Sequence, residues 1–169
     1  SQNAAFQLAR NWDYGLRYDR PTQRFGRFNF SADVTQVVIR GTDSGQGGGL
    51  TNTRGRYYAP IWRSNLSVSW RYKTVGAAVT ADVIGKWRNR SFTTAAYPAG
   101  WGENVWSSIT PSFTFRGFKK TSLTIGSNNV LDHRPPPNAV AAIYGFDDRI
   151  SSASGAVGRT FFLRGRREF

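Results

Sequence analysis

The sequence predicts an all-β protein, an antiparallel up-and-down transmembrane β-barrel or a portion of one. Three observations predict it. Apolar and polar residues alternate with period two along most of the chain, which strands require and helices scatter. Aromatic residues reach 15% while total hydrophobic content is only 39%, as when one strand face is apolar and the other polar. Short links between the alternating segments take turns with long ones, the habit of barrels with tight turns at one rim and long loops at the other.

The first segment, 12–20, sets Trp12, Tyr14, Leu16 and Tyr18 against Asp13, Gly15, Arg17 and Asp19. In 28–38, Phe28, Phe30, Ala32, Val34 and Val38 oppose Asn29, Ser31, Asp33 and Thr35, with Gln36 breaking the apolar set. The clearest segment is 65–73: Leu66, Val68, Trp70 and Tyr72 alternate with Asn65, Ser67, Ser69, Arg71 and Lys73. Segment 75–83 sets Val75, Ala77, Val79, Ala81 and Val83 against Gly76, Ala78, Thr80 and Asp82. In 105–115, Val105, Ile109, Phe113 and Phe115 oppose Ser108, Thr110, Ser112 and Thr114, while Trp106, Ser107 and Pro111 blur the pattern. Thr121, Leu123 and Ile125 alternate with Ser122, Thr124 and Gly126. The last segment, 157–169, carries Phe161, Leu163 and Phe169 on one parity and Arg164, Arg166 and Glu168 on the other, with Phe162 as an exception.

Seven strands result. Short links are expected at 21–26, 73–74 and 116–119, and long ones at 41–60, 88–104 and 128–155. The final long link puts the C-terminus on the expected periplasmic side. A soluble β-sandwich alternates in the same way, because one face packs on a partner sheet. Two details favour lipid: aromatics near strand ends (Trp12, Trp70, Tyr72, Phe113, Phe115) and charges inside strands (Arg17, Asp33, Arg71, Asp82), suiting interfacial girdles and a wet lumen. No run of about 20 apolar residues exists to form a spanning helix.

Composition removes whole classes of chemistry. Without cysteine there are no disulfides, thiol nucleophiles or cysteine-ligated metals, and one histidine makes a multi-histidine site within the chain impossible. The net charge of +13 and pI near 11.0 are what a nucleic-acid binder would show. However, the 19 Arg and 4 Lys are dispersed over strands and loops without a basic stripe. A chain that opens on Ser1 and holds no methionine is expected to be processed or cut.

Several stretches resemble TonB-dependent outer-membrane receptors. Leu123-Thr-Ile-Gly-Ser-Asn-Asn-Val-Leu-Asp-His-Arg-Pro-Pro-Pro137 is similar to their penultimate strand and following turn. Gly158-Arg-Thr-Phe-Phe-Leu-Arg-Gly-Arg-Arg-Glu-Phe169 resembles their closing strand. Tyr18-Asp-Arg-Pro-Thr-Gln-Arg-Phe-Gly-Arg-Phe28 is similar to a periplasmic turn, and Tyr58-Ala-Pro-Ile-Trp-Arg-Ser-Asn-Leu-Ser-Val-Ser-Trp70 to a loop-to-strand entry. The resemblance implies about seven C-terminal strands of a larger barrel, of about 22 strands in that family. Residues 1–169 are then the C-terminal segment of such a barrel or one half of a split one, with no plug domain and no TonB box in the chain. It also implies that Phe161, Leu163 and Phe169 belong to the signal read by the barrel-assembly machinery, although Arg167 stands where the family has an apolar or aromatic residue. Locally, Asn128, Asn129 and Asp132 suit a strand exit, since these side chains bond nearby backbone and tolerate left-handed dihedrals. Pro135, Pro136 and Pro137 end pairing because proline donates no ladder hydrogen bond.

The function implied by the resemblance is energised import of a scarce nutrient such as a ferric siderophore, a cobalamin or an oligosaccharide, in the outer membrane of a Gram-negative bacterium. A passive porin-like channel and a soluble basic nucleic-acid-binding β protein are the alternatives. Catalysis is not expected: the usual base would be His133, which sits in a turn motif. Asp147 and Asp148 are adjacent loop carboxylates, and no metal or cofactor is expected. Residues 45–49 lack the lysine and helix of a phosphate loop. Ligand contacts are expected from the long loops, where arginine and aromatic residues cluster: Arg54, Arg56, Tyr57 and Tyr58; Arg88, Arg90, Tyr97 and Trp101; and Tyr144 and Arg149. Such clusters stack on sugar rings or pair with anions. Expected partners are the remainder of the barrel and its plug, TonB through that remainder, the barrel-assembly machinery, and lipopolysaccharide with outer-membrane lipid, but no nucleic acid.

Overall fold

The structure is a computed structural model that describes residues 5–55, 60–86, 105–118, 120–134 and 158–168. These form one antiparallel sheet of eight strands. The strands are β1 (Phe6–Thr22), β2 (Gly26–Asp43), β3 (Thr51–Asn52), β4 (Trp62–Tyr72), β5 (Val75–Ile84), β6 (Trp106–Phe118), β7 (Thr121–Asn128) and β8 (Thr160–Arg167). Sequence neighbours are spatial neighbours in the order β1-β2-β4-β5-β6-β7-β8, with the two-residue β3 lying on β2. No helix occurs among the described residues.

The expected seven strands are therefore corrected to eight. β3 lies inside a stretch expected to be loop, and its two residues bridge to Gly41 and Thr42, too short a pairing for period two to register. β1 and β2 are also longer than expected, at 17 and 18 residues. Their extension pairs Phe6 to Arg10 with Asp43 to Ile39, past a bulge that leaves Val38 unmatched in β1. The bulge adds a residue to β2 and shifts its parity, so the alternation of 28–38 does not carry on into Ile39–Asp43, while in β1 Arg10 interrupts the apolar parity that Phe6 and Leu8 share with Trp12. The expected short link at 116–119 moves to the β6–β7 turn, because a second irregularity between Phe115 and Phe118 carries β6 through Phe118.

Register confirms the two-faced reading of the strands. One row runs Tyr18–Phe30–Val68–Val79–Pro111 and a second runs Phe28–Trp70–Ala77–Phe113–Ile125–Leu163, each residue directly opposite the next. The intervening rows are polar, as in Arg17–Ser31–Ser67–Thr80–Thr110. Nothing among the described residues packs on the apolar face. Trp12, Leu16 and Val68 on it are 59%, 57% and 49% exposed, and among the described residues Val37 and Trp106 alone form the buried hydrophobic set. A sheet with one apolar face needs a second layer or an apolar solvent, and within these residues it has no second layer.

Glycine marks where backbones approach. Gly26 opens β2 with φ +85°, and a Cβ there would stand 2.1 Å from the Arg71 carbonyl oxygen. On the polar face the ring of Phe162, the exception in the last alternating segment, lies over Gly126, 2.3 Å from where its Cβ would be. The aromatic covers the gap that the glycine leaves.

Candidate functional site

The antiparallel meander gathers the starts of β1, β4, β6 and β8 and the ends of β2, β5 and β7 at one rim, from which the long connections leave. Among the described residues nearly all burial is there. Trp106 and Asn129 are each 1% exposed, and Val37, Thr53, Ser108 and Ser127 are buried beside the same rim.

The β7 exit is a cross-linked turn. Asn129 and Asp132 adopt left-handed backbone, φ 48° and 52°, as their residue types allow. The Asn129 side chain brackets His133: Nδ2 donates to its carbonyl oxygen and Oδ1 accepts from its N–H, both at 3.1 Å. The Trp106 indole N–H donates to the same carbonyl at 2.8 Å. Asp132 Oδ1 accepts from the Arg159 N–H at 2.9 Å, and Asn128 Nδ2 donates to Thr160 Oγ1 at 3.1 Å. Two strands and the return of a long connection are thereby tied to one six-residue turn. Such networks rigidify when every buried polar group is satisfied. Trp106, which blurs the alternation, is the anchor; its signal in the sequence is a tryptophan opening a strand off the apolar parity.

The His133 ring approaches Ser107, with Nδ1 3.4 Å from Oγ. That is long for a nucleophile–base hydrogen bond. Among the described residues the neighbouring Asp132 carboxylate is engaged by backbone rather than by the imidazole. No group of three His, Cys, Asp or Glu among the described residues is placed to hold a metal ion.

Arg54 ties a loop down. Its Nε donates to the Val37 carbonyl at 2.6 Å, while its N–H donates to Asn52 Oδ1 at 2.9 Å. Arg56, Tyr57, Tyr58, Arg88, Arg90, Tyr97, Trp101, Tyr144, Arg149 and Phe169 lie outside the described residues, as do Asp147 and Asp148. Phe161 and Leu163 share the apolar face of β8, where they are 78% and 69% exposed.

Polar-face electrostatics differ along the sheet. Between β1 and β2, Arg17 Nη2 lies 2.8 Å from both oxygens of Asp33, Arg27 pairs with Asp19, and Thr35 Oγ1 donates to Asp13 at 2.6 Å. Asn65 of β4 donates to Asp82 of β5 at 2.7 Å. The short-turn rim is aromatic instead. Trp70 stacks on Tyr72 with centroids 6.4 Å apart, Phe115 meets Phe118 edge-on at 5.4 Å, and the Trp70 indole donates to the Phe25 carbonyl at 2.6 Å. Lys73 sits over the Tyr72 ring at 5.1 Å. Rings with polar tips at one level, flanked by cations, suit a boundary between apolar and aqueous media. Comparison of the chain with protein families, curated proteins and solved structures finds no match.

Proposed function

We propose that this chain forms part of the wall of an outer-membrane β-barrel of the TonB-dependent receptor kind, which imports a scarce, bulky nutrient by energised transport. One observation carries the reading: an apolar face continuous across seven paired strands, with no second layer on it among the described residues, behind a polar face whose acidic groups on β1, β2 and β5 have partners. In water such a face aggregates; in a bilayer it is the lipid contact. The polar face then lines an aqueous lumen, and β1 and β8 pair with further strands, because an open edge in lipid would leave backbone groups unsatisfied. β1 and β2 exceed the 9–11 residues a tilted span needs, so their outer ends stand above the membrane and support the ligand mouth. The family assignment within this reading is supported by the strand-exit and closing-strand motifs.

The test uses the full-length gene product in native outer-membrane vesicles. The chain has no cysteine, so single cysteines at Leu16, Val68 and Ile125 are compared with others at Ser31, Ser67 and Thr124. A lipid-soluble maleimide is expected to label the first set and a small water-soluble one the second. Equal aqueous labelling of both sets overturns the membrane reading. Uptake that persists without TonB or a proton gradient replaces the receptor by a passive channel.

A further inference from the structure

The short-turn rim of the polar face holds an unbalanced group of cations. Arg27 and Arg71 are direct cross-strand partners, and Arg71 in turn faces Gly76. The Arg116 guanidinium reaches over Gly76, its Nη1 3.3 Å from where a Cβ would stand. Arg27 is neutralised by Asp19. Among the described residues, neither the Arg71 nor the Arg116 side chain has a hydrogen bond or ion pair. Beside them, between the β6–β7 turn and the end of β8, lies a recess of about 260 Å³ lined by Arg116, Lys120, Ser122, Arg166 and Glu168, among others. Ser122 and Arg166 are register partners. Among the described residues Glu168 is the recess's one carboxylate, 3.8 Å from Arg166 and 72% exposed.

Like charges gathered without counter-charge repel one another. Among the described lining residues, three cations less one carboxylate leave two positive charges. Two guanidinium forks, one ammonium and a hydroxyl form a donor set for a tetrahedral dianion. We propose that this recess binds an oxyanion of the phosphate class. Arg116 and Arg166 grip its oxygens, Lys120 adds charge, Ser122 donates a hydroxyl, and Arg71 raises the local potential. Phe118 lines the same recess and pairs with Thr121 on the apolar parity of β7, so the recess stands where the two faces meet. The phosphate therefore comes either from a solute on the polar side or from a phospholipid headgroup at the rim.

The full-length protein in neutral detergent is titrated calorimetrically with inorganic phosphate against chloride at matched ionic strength. Saturable phosphate binding is expected, weakened at least about tenfold in the R116Q/R166Q double variant, the loss of two charge-assisted bonds. E168Q removes the competing carboxylate and is expected to tighten binding several-fold, which a merely structural cluster would not do. Phosphate binding no tighter than chloride overturns the proposal, as does affinity unmoved by E168Q. In nanodiscs, tighter retention of phosphatidylglycerol than phosphatidylcholine, lost in the double variant, assigns the phosphate to a headgroup. Equal retention with intact phosphate binding assigns it to a solute. The phosphate arm needs no bilayer, so it fails or succeeds separately from the barrel reading.

Discussion

The two rims of the sheet are built on different physics. At the long-connection rim, side chains are buried and bonded: Trp106 and Asn129 converge on one carbonyl, and Arg54 clamps the end of β2. At the short-turn rim, rings and cations stand exposed, held by stacking and by close backbone approach at Gly26. The first rim supplies its own surroundings. On the reading proposed above, the second borrows them, from lipid around its aromatic belt and from an anion in its recess. Burial and side-chain hydrogen bonding are concentrated where the long connections leave, and rings and cations where the short turns lie.

Five substitutions at four positions probe this contrast, all read by denaturant unfolding of the full-length protein followed by heat-sensitive gel mobility. Trp106→Ala empties the most buried large side chain and removes its indole donor, with an expected loss of about 3–5 kcal/mol. A loss below about 1 kcal/mol, the net worth of the indole hydrogen bond alone, would mean that this rim is not the packed one. Gly26→Ala is the counterpart at the other rim, where a methyl must enter left-handed backbone against the Arg71 carbonyl. It should cost about 2–4 kcal/mol from strain and overpacking combined. If it is silent, the tightness of the β1–β2 turn is not what positions the belt.

Asn129→Ala leaves the His133 peptide without its bracket, for an expected loss of about 1–3 kcal/mol. Asn129→Asp keeps the acceptor but sets a buried carboxylate oxygen against the His133 carbonyl, so it should lose at least as much; a smaller loss would show that the donor to that carbonyl contributes nothing. The smallest effect belongs to the exposed pair on the polar face. Arg17→Ala should cost about 0.2–1 kcal/mol and lose its effect in high salt. A salt-independent loss would place Arg17 in packing rather than in electrostatics.

Residues 65–73 illustrate what could be read in advance. Both faces of β4 follow from residue order, because successive strand side chains point to opposite sides whatever the neighbours are. The turn at Lys73, the left-handed residues Asn129 and Asp132, and the succession of short and long links were legible for the same local reason. The Arg17–Asp33 pair was not. It requires knowing that Gly15 faces Asp33 and Arg17 faces Ser31, a register set by the turn and by the neighbouring strands. Phe162 looked like an exception in β8 until pairing put it over Gly126. Of the expected ligand residues the described part of the molecule includes Arg54 alone, and it serves the loop base.

Alternation, a property of two adjacent residues, settled the class of fold and which side chains share a face before any contact was known. Bulges, the Trp106 anchor and the cationic recess depend on which residues far apart in the chain become opposite. Register is a non-local quantity: a slip of one residue exchanges the two faces, and only the assembled sheet selects one. That selection brings Arg116 and Lys120, from the two sides of one turn, to the same recess as Arg166 of the last strand.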